Sequence, residues 1–381
     1  MAGFSFEPVA LPPEAEALRQ RVRALIAAEL AARPRALKAW SWAGFDAGFS
    51  RKLGAAGFLG LTWPKNYGGH ERTALDRFVV VEELLAAGAP VHAHWIAERQ
   101  SGPLILRFGT EAQRQTYLPP IVRGESYFCI GMSEPDSGSD LASIRTRARR
   151  DGDGWRLDGR KVWTSFAHKA HHMIALVRTS PASEDRHAGL SQLLVDLSTP
   201  GITIRPIRNM AGDSDFNEVT FDDVRLPADA LLGTEGQGWQ QVLAELAFER
   251  SGPERILSAH AVLVEMIRRL GDDPSERAAV ALGRAVAQLA TLRQMSLAVA
   301  GRLAAGEAPV LEAALVKDAG VEFEQRLPEI AHELTGESPL LDGDDFERSL
   351  AYVWQAQISF SLRGGTREIL RGIIARGLGL R

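Results

Sequence analysis

Along the first third of the chain, apolar residues recur every three or four positions. Over residues 14–32, Leu18, Val22, Leu25 and Leu30 fall near a 3.6-residue period and Pro34 stands just beyond, which predicts an amphipathic helix. The same spacing predicts helices over 51–57, 74–87 and 111–118, with the turn-rich run Trp63-Pro64-Lys65-Asn66-Tyr67-Gly68-Gly69 as a loop between them. Near residue 125 the period changes to two. Trp155-Arg156-Leu157 and Arg160-Lys161-Val162-Trp163 flank Asp158-Gly159, a pair that tolerates positive φ, so a two-residue hairpin turn is expected there. Further strands are expected at 173–177, 190–197, 202–207 and 218–224. Alternation places Trp163 and Ser165 on one face of their strand. After a glycine-rich linker at 233–239, long helical stretches are predicted over 240–270, 275–304, 311–334 and 346–362, a pattern that favours a helix bundle. Pro253, with Ser251 and Glu254 at capping-box spacing, predicts a kink or restart inside the first of them. The expected organisation is an α-helical segment (1–124), a β-segment (125–232) and an α-helical bundle (233–381).

Composition narrows the class. The 381 residues, 45% of them hydrophobic, can supply the core of a multidomain globular enzyme. Lys+Arg 44 against Asp+Glu 48 gives a net charge of −4, so no general basic field points to nucleic acid or to an anionic membrane. Arg363, Arg367, Arg371 and Arg376 recur near helical spacing and read as a solvated face of the last helix. The single cysteine, Cys129, excludes an intramolecular disulfide and a cysteine-rich zinc site. No apolar run approaches the length of a membrane span, and acids and prolines stand where an export signal needs basic and then apolar residues, so cytoplasmic residence is expected.

Among candidate chemistries, no metal motif stands out. His171 and His172 are adjacent on a strand edge and point to opposite faces. No Walker A loop or nucleophile elbow occurs. The segment Gly131-Met132-Ser133-Glu134-Pro135-Asp136-Ser137-Gly138-Ser139-Asp140 exposes backbone N–H groups and serine hydroxyls with few bulky side chains, a loop able to grip a polar cofactor.

That segment, continued by Leu141-Ala142-Ser143, resembles the flavin loop of the acyl-CoA dehydrogenase family. The likeness extends upstream through Gly102-Pro103, Phe108-Gly109-Thr110-Glu111, Tyr117-Leu118-Pro119 and Gly124-Glu125. It extends downstream through Trp163-Thr164-Ser165, Phe216-Asn217-Glu218-Val219 and Phe221-Asp222-Asp223-Val224, in the family's order. The resemblance implies a mainly α fold with an inserted β-domain, a β-sandwich or barrel between an N-terminal helical domain and a C-terminal four-helix bundle. It implies FAD as cofactor, α,β-dehydrogenation of an acyl-CoA, and an electron-transfer flavoprotein as acceptor. By the same resemblance, Ile130, Gly131, Met132 and Ser133 line the flavin ring. Gly138 and Ser139 lie at the flavin pyrophosphate or the CoA arm, Trp163, Thr164 and Ser165 contact the ring, and Thr366 and Glu368 meet FAD from the C-terminal segment.

The chain departs from the family pattern at two places. Many members carry Glu-Gly-Thr where this chain has Gly364-Gly365-Thr366. Without that carboxylate, the resemblance to members whose base lies on a helix of the last domain makes Glu249 the expected α-proton acceptor. Arg250 is the expected supporter of the CoA arm or of Glu249, and the Gly365 N–H an oxyanion-type donor to the thioester carbonyl. Segments that in the family reach a neighbouring subunit's FAD correspond here to 271–277 and 332–336 and match poorly. Such erosion accompanies members that work as unlike pairs on bulky acyl groups. The implied assembly is a homodimer or homotetramer, or a hetero-oligomer with a related chain. Two alternatives remain open: a weakly active partner subunit, and an oxygen-using flavoenzyme of the same fold.

Overall fold

The computed structural model describes residues 3–181, 184–249 and 252–380, without the side chains of 245–249. Helices α1 (Pro13–Leu30), α2 (Ala47–Ala55), α3 (Ala74–Ala86), α4 (His92–Ile96), α5 (Gly102–Phe108) and α6 (Glu111–Val122) come first. The strands are β1 (Phe128–Gly131), β2 (Arg147–Asp151), β3 (Gly154–Ser165), β4 (His172–Arg178), β5 (Leu190–Asp196), β6 (Ile202–Ile207), β7 (Phe216–Leu226) and β8 (Leu231–Leu232). Helices α7 (Gly238–Glu249), α8 (His260–Leu270), α9 (Glu276–Ala304), α10 (Val310–Thr335), α11 (Asp345–Ala356) and α12 (Arg367–Gly377) complete the chain. Helix starts follow local chemistry: Thr73, Thr110 and Asp344 each close a reciprocal capping box ahead of α3, α6 and α11.

By packing, the chain forms two compact units, each discontinuous in sequence: 1–45, 72–92 and 249–381 in one, 46–71 and 93–248 in the other. In the first, α1 packs on α3, and α3 packs on α9. Arg19 on α1 and Arg293 on α9 converge on Glu82 of α3, with Arg19 also bound to Glu83. In the second unit, the strands make one eight-stranded sheet in the order β6-β7-β3-β2-β4-β5-β8, with β1 added parallel to β4. Its core includes Trp155, Leu157, Met173, Val177, Val219 and Phe221. Gly102 marks a tight approach in this unit, since a Cβ there would stand 2.1 Å from the Trp63 indole.

Three expectations change. Asp158-Gly159 is not a hairpin turn: β3 runs straight through it, and the turn falls at Gly152 (φ 60) between β2 and β3. Gly159 (φ 146) instead marks an irregularity against β7 at the place where a Cβ would meet Thr146. Both sites read Asp-Gly, and the pairing of β3 with β7 on both sides of Asp158-Gly159 decides between them. Second, Arg363 does not lie on a solvated helix face. It precedes α12, its guanidinium stacks over Trp42 (4.7 Å) and Phe360 (4.1 Å), and it donates to Ser258 Oγ at 2.7 Å. Arg367 and Arg371 do lie on α12, both facing Asp318. Third, helical structure also fills 92–108, where α4 and α5 are joined through a wider π turn at Ala97–Ser101.

Candidate active site

Strand β1 delivers Ile130 and Gly131, and Met132 and Ser133 follow directly. Glu134 and Ser137 then exchange backbone hydrogen bonds of 2.9 and 3.0 Å, which closes a tight turn. The Glu134 carboxylate points inward. It accepts from the backbone N–H of Arg145 (2.6 Å) and Thr146 (2.9 Å) and from Lys161 Nζ (2.8 Å). Lys161, fully buried on β3, also donates to the Met132 carbonyl at 3.0 Å. Burial pushes the Lys161 ammonium down to about 8, while the Glu134 charge works the other way. Burial opposes the charged form of Glu134 as well, but the Lys161 charge and the hydrogen bonds prevail and hold it below the usual carboxylate range. The loop is therefore pinned to the sheet by a buried ion pair. Gly138 and Ser139 stand exposed at its tip.

Beside this loop, β3 presents an indole to the outside. The Val162 N–H donates to the Ser133 carbonyl at 2.9 Å, which joins loop and strand next to Trp163. Residues 155, 157 and 161 point into the core, and Trp163 shares their parity. A register shift between Lys161 and Thr164 inserts an extra residue against β7, and Trp163 adopts φ 59. Such a bulge re-aims a side chain, and positive φ in a non-glycine residue is strained. Trp163 ends 59% exposed, a large apolar surface left uncovered, with Phe216 edge-on at 6.0 Å. Ser165, two positions on, is half-buried, and Thr164 between them is buried. An exposed indole beside a small-residue loop fits the face of a planar heterocycle.

The second group of expected residues lies in the other unit. Gly364 (φ 67) and Gly365 (φ 98) both occupy conformations that favour glycine. The Gly365 carbonyl accepts from the fully buried Lys317 at 2.6 Å. Thr366 caps α12, accepting from the Ile369 N–H at 3.5 Å, and Glu368 sits in the first turn. A backbone hydrogen bond, followed by the one to Thr366, lowers Glu368 below its ordinary range. Arg363, just before the glycines, pairs with the buried Glu324 at 3.4 Å; burial pushes Arg363 down to about 10, still charged at neutral pH. Glu249 ends α7, and its side chain, like all of Arg250, lies outside the described residues. Among the described residues no cluster of three histidine, cysteine or acidic side chains is placed to hold a metal.

Three family models match this chain: the acyl-CoA dehydrogenase N-terminal domain over residues 12–125, the middle domain over 129–224 and the C-terminal domain over 236–379. Acyl-CoA dehydrogenase IpdE1 of Mycobacterium tuberculosis is 37% identical, over 96% of this chain and 98% of that protein. The chain belongs to the acyl-CoA dehydrogenase family. Its fold is the acyl-CoA dehydrogenase fold of N-terminal helical, middle β and C-terminal helical parts. Among solved structures of acyl-CoA dehydrogenases, the Tcur3481-Tcur3483 steroid ACAD aligns with TM-score 0.86 at 28% identity, over 98% of this chain and 99% of that one. The ChsE4-ChsE5 complex from Mycobacterium tuberculosis aligns with TM-score 0.84 at 29% identity, over 98% and 100%.

For this acyl-CoA dehydrogenase, the pattern of the sequence missed the residues that hold the site segments in place. Lys161 carried a usable signal: a lysine at core parity on a strand requires a buried carboxylate. Glu134 lay inside the loop motif as its partner. Lys317 and Arg363 carried no such signal, because helical spacing alone does not separate a buried cation from a solvated one. No helix among the described residues is long and apolar enough to cross a membrane.

Proposed function

We propose that this chain is an FAD-dependent dehydrogenase that converts an acyl-CoA thioester to its trans-2-enoyl-CoA and passes the electrons to an electron-transfer flavoprotein. The observation that carries the reading is the uncovered Trp163 indole, aimed outward by a strained bulge and joined through Val162 to the Ser133 end of the pinned loop. Bound FAD would supply the acceptor for the hydride leaving the acyl Cβ. Ile130, Gly131, Met132, Ser133, Trp163 and Ser165 would hold the flavin ring, and Thr366 and Glu368 would meet the cofactor from the C-terminal segment. Glu249 takes the α-proton, since position 364 offers no carboxylate. The Gly365 N–H donates to the thioester carbonyl as negative charge builds there, and its place depends on Lys317 gripping its carbonyl.

The test is direct. The purified chain is expected to be yellow, with close to one flavin per chain, and to bleach anaerobically with a suitable acyl-CoA. A folded, colourless protein that ignores added FAD would overturn the reading. It would leave the second one, a subunit completing the site of an unlike partner, which the assembly named in the ChsE4-ChsE5 structure favours. The steroid ACAD relative likewise directs the substrate search to bulky acyl groups first.

A further inference from the structure

The run Phe216-Asn217-Glu218-Val219 at the start of β7 plays no part in the proposed chemistry. Phe216 stands edge-on to Trp163, Glu218 faces Arg160 at 3.6 Å, and Val219 belongs to the core of the sheet. Asn217 is different. It is a fully buried amide, and burying an amide is costly unless its polar atoms find partners. Its Nδ2 donates to the Thr164 carbonyl at 3.0 Å, and its Oδ1 lies 2.8 Å from His168 Nδ1. The first contact fixes the polarity of the second. A carbonyl only accepts, so the atom facing Thr164 is the amide nitrogen; the amide oxygen left facing His168 also only accepts, so Nδ1 carries the hydrogen. The exposed imidazole is thereby held to Asn217 in one tautomer, stacked with the Phe166 ring at 6.0 Å between centroids.

The stretch that Asn217 grips is strained at both ends. Trp163 (φ 59) and Phe166 (φ 49) hold left-handed backbone conformations, with Thr164 and Ser165 between them. Non-glycine residues persist in such conformations only where their surroundings over-determine them. Pairing with β7 resumes after the bulge at Thr164, whose partner in the ladder is Asn217 itself. The Phe166 N–H then donates to the Asp215 carbonyl at 2.7 Å, and the 3-10 turn Ala167–Lys169 brings His168 back to Asn217. We propose that Asn217 is a positioning residue: through the Thr164 carbonyl and the His168 ring it clamps residues 163–166 in the conformation that leaves the Trp163 indole uncovered for the flavin. The inference rests on the FAD reading above and adds what holds the ring-facing segment ready before the cofactor arrives. Without the clamp the segment relaxes, and flavin binding has to impose the strain itself.

The full-length protein is compared with Asn217→Leu, His168→Leu and His168→Asn. Leucine and asparagine are close in shape and both uncharged, but only asparagine can donate where the Nδ1–H stood. Two quantities are read: FAD affinity, by titrating FAD into the stripped protein, and hydrogen exchange over residues 160–168 in the flavin-free protein, by mass spectrometry. Both leucine variants are expected to bind FAD at least about tenfold more weakly, the change that one strained residue set free implies. Their exchange over 160–168 is expected to quicken while other segments keep the parent rate, and His168→Asn is expected to stay near the parent in both readings. Should Asn217→Leu not fold, the exposed His168 pair decides. FAD affinity of His168→Leu within about twofold of the parent overturns the inference. Equal losses in His168→Leu and His168→Asn also overturn it, because the stacking of the ring on Phe166 would then be the support. If the parent takes up no FAD, the dehydrogenase reading fails and exchange alone decides the clamp: quickening in His168→Leu with rescue in His168→Asn upholds it, and parent rates overturn it. If the parent is yellow and bleaches with acyl-CoA while His168→Leu binds FAD as the parent does, the clamp fails and the dehydrogenase reading stands.

Discussion

Two buried lysines do the same job in the two units by different means. Lys161 grips the Met132 carbonyl and is neutralised in place by Glu134, a residue of the very loop it holds. Lys317 grips the Gly365 carbonyl, and the buried charges next to that segment come from elements far apart in sequence: Arg363 before α12 and Glu324 on α10, with Ser258 between them. The first support is local and concentrated in one ion pair. The second is spread over a network, so a single substitution there leaves more of the support standing. The difference teaches that a site can be fixed to its scaffold either by one desolvated pair, with a large penalty for breaking it, or by shared buried polarity.

Lys161→Met tests the concentrated support and carries the largest expected effect. It leaves Glu134 buried without its cation, so unfolding free energy should drop by about 3–5 kcal/mol and flavin content should fall. Adding Glu134→Leu should restore part of the stability, limited by the Arg145 and Thr146 N–H groups it leaves without their acceptor, and should not restore flavin, because the Met132 carbonyl stays unanchored. Denaturant melts and flavin assays on both variants check this; an unchanged midpoint for the single variant would break the comparison.

Glu249→Gln separates chemistry from support. Flavin reduction by a good acyl-CoA should slow by at least about 10²-fold, the lower range for losing a general base, at unchanged flavin content. Rapid-mixing absorbance measures it. Reduction at the parent rate would show that the base lies elsewhere.

Lys317→Met probes the distributed support. Loss of a charged hydrogen bond to the Gly365 carbonyl should cost about 1.5–3 kcal/mol, less than the Lys161 change, with turnover reduced and flavin retained. If it destabilises more than Lys161→Met, the contrast between the two supports is wrong.

The smallest effect concerns the outer side of the indole. Asp215, next to Phe216, is raised to about 7 by burial first and by Asp213 second, with Lys169 opposing. Between the ordinary carboxyl value of 3.8 and about 7 the folded state keeps a proton that the unfolded chain has released. This group therefore lowers stability progressively as pH rises through that window and not below it. Asp215→Asn should flatten the decline and be more stable at pH 8 by on the order of 2 kcal/mol, with little difference near pH 4. Parallel pH-dependent melts decide it.

Sequence reading and structure agree where one period rules a long element. Helices α1, α3, α9 and α10, and strands β4 to β7, fall within a few residues of their expected limits. The loop at 131–140 was singled out by its resemblance to a family motif, since a run of small residues by itself reads as an ordinary connector. Two kinds of feature were not legible. The Lys161–Thr164 bulge depends on pairing with β7, which begins more than fifty residues later, and without it Trp163 would share the inward parity of Lys161. Arg363 looked like one of four periodic surface cations, and only the arrival of Trp42, Phe360 and Glu324 around it makes it an interior charge.

The parallel pairing of β1 with β4 has a kinetic consequence. Phe128 sits opposite His172, and the whole flavin loop, β2 and β3 lie in the chain between them. Antiparallel neighbours such as β2 and β3 can zip from a tight turn, but β1 must wait until a loop of more than forty residues has closed. The strand that carries Ile130 and Gly131 is thus expected to dock after the β2–β3 hairpin has formed, as is β7, which pairs with β3 across a longer stretch still. Flavin binding during refolding should then lag behind the first β-sheet signal, and stopped-flow circular dichroism run alongside flavin fluorescence would show whether it does.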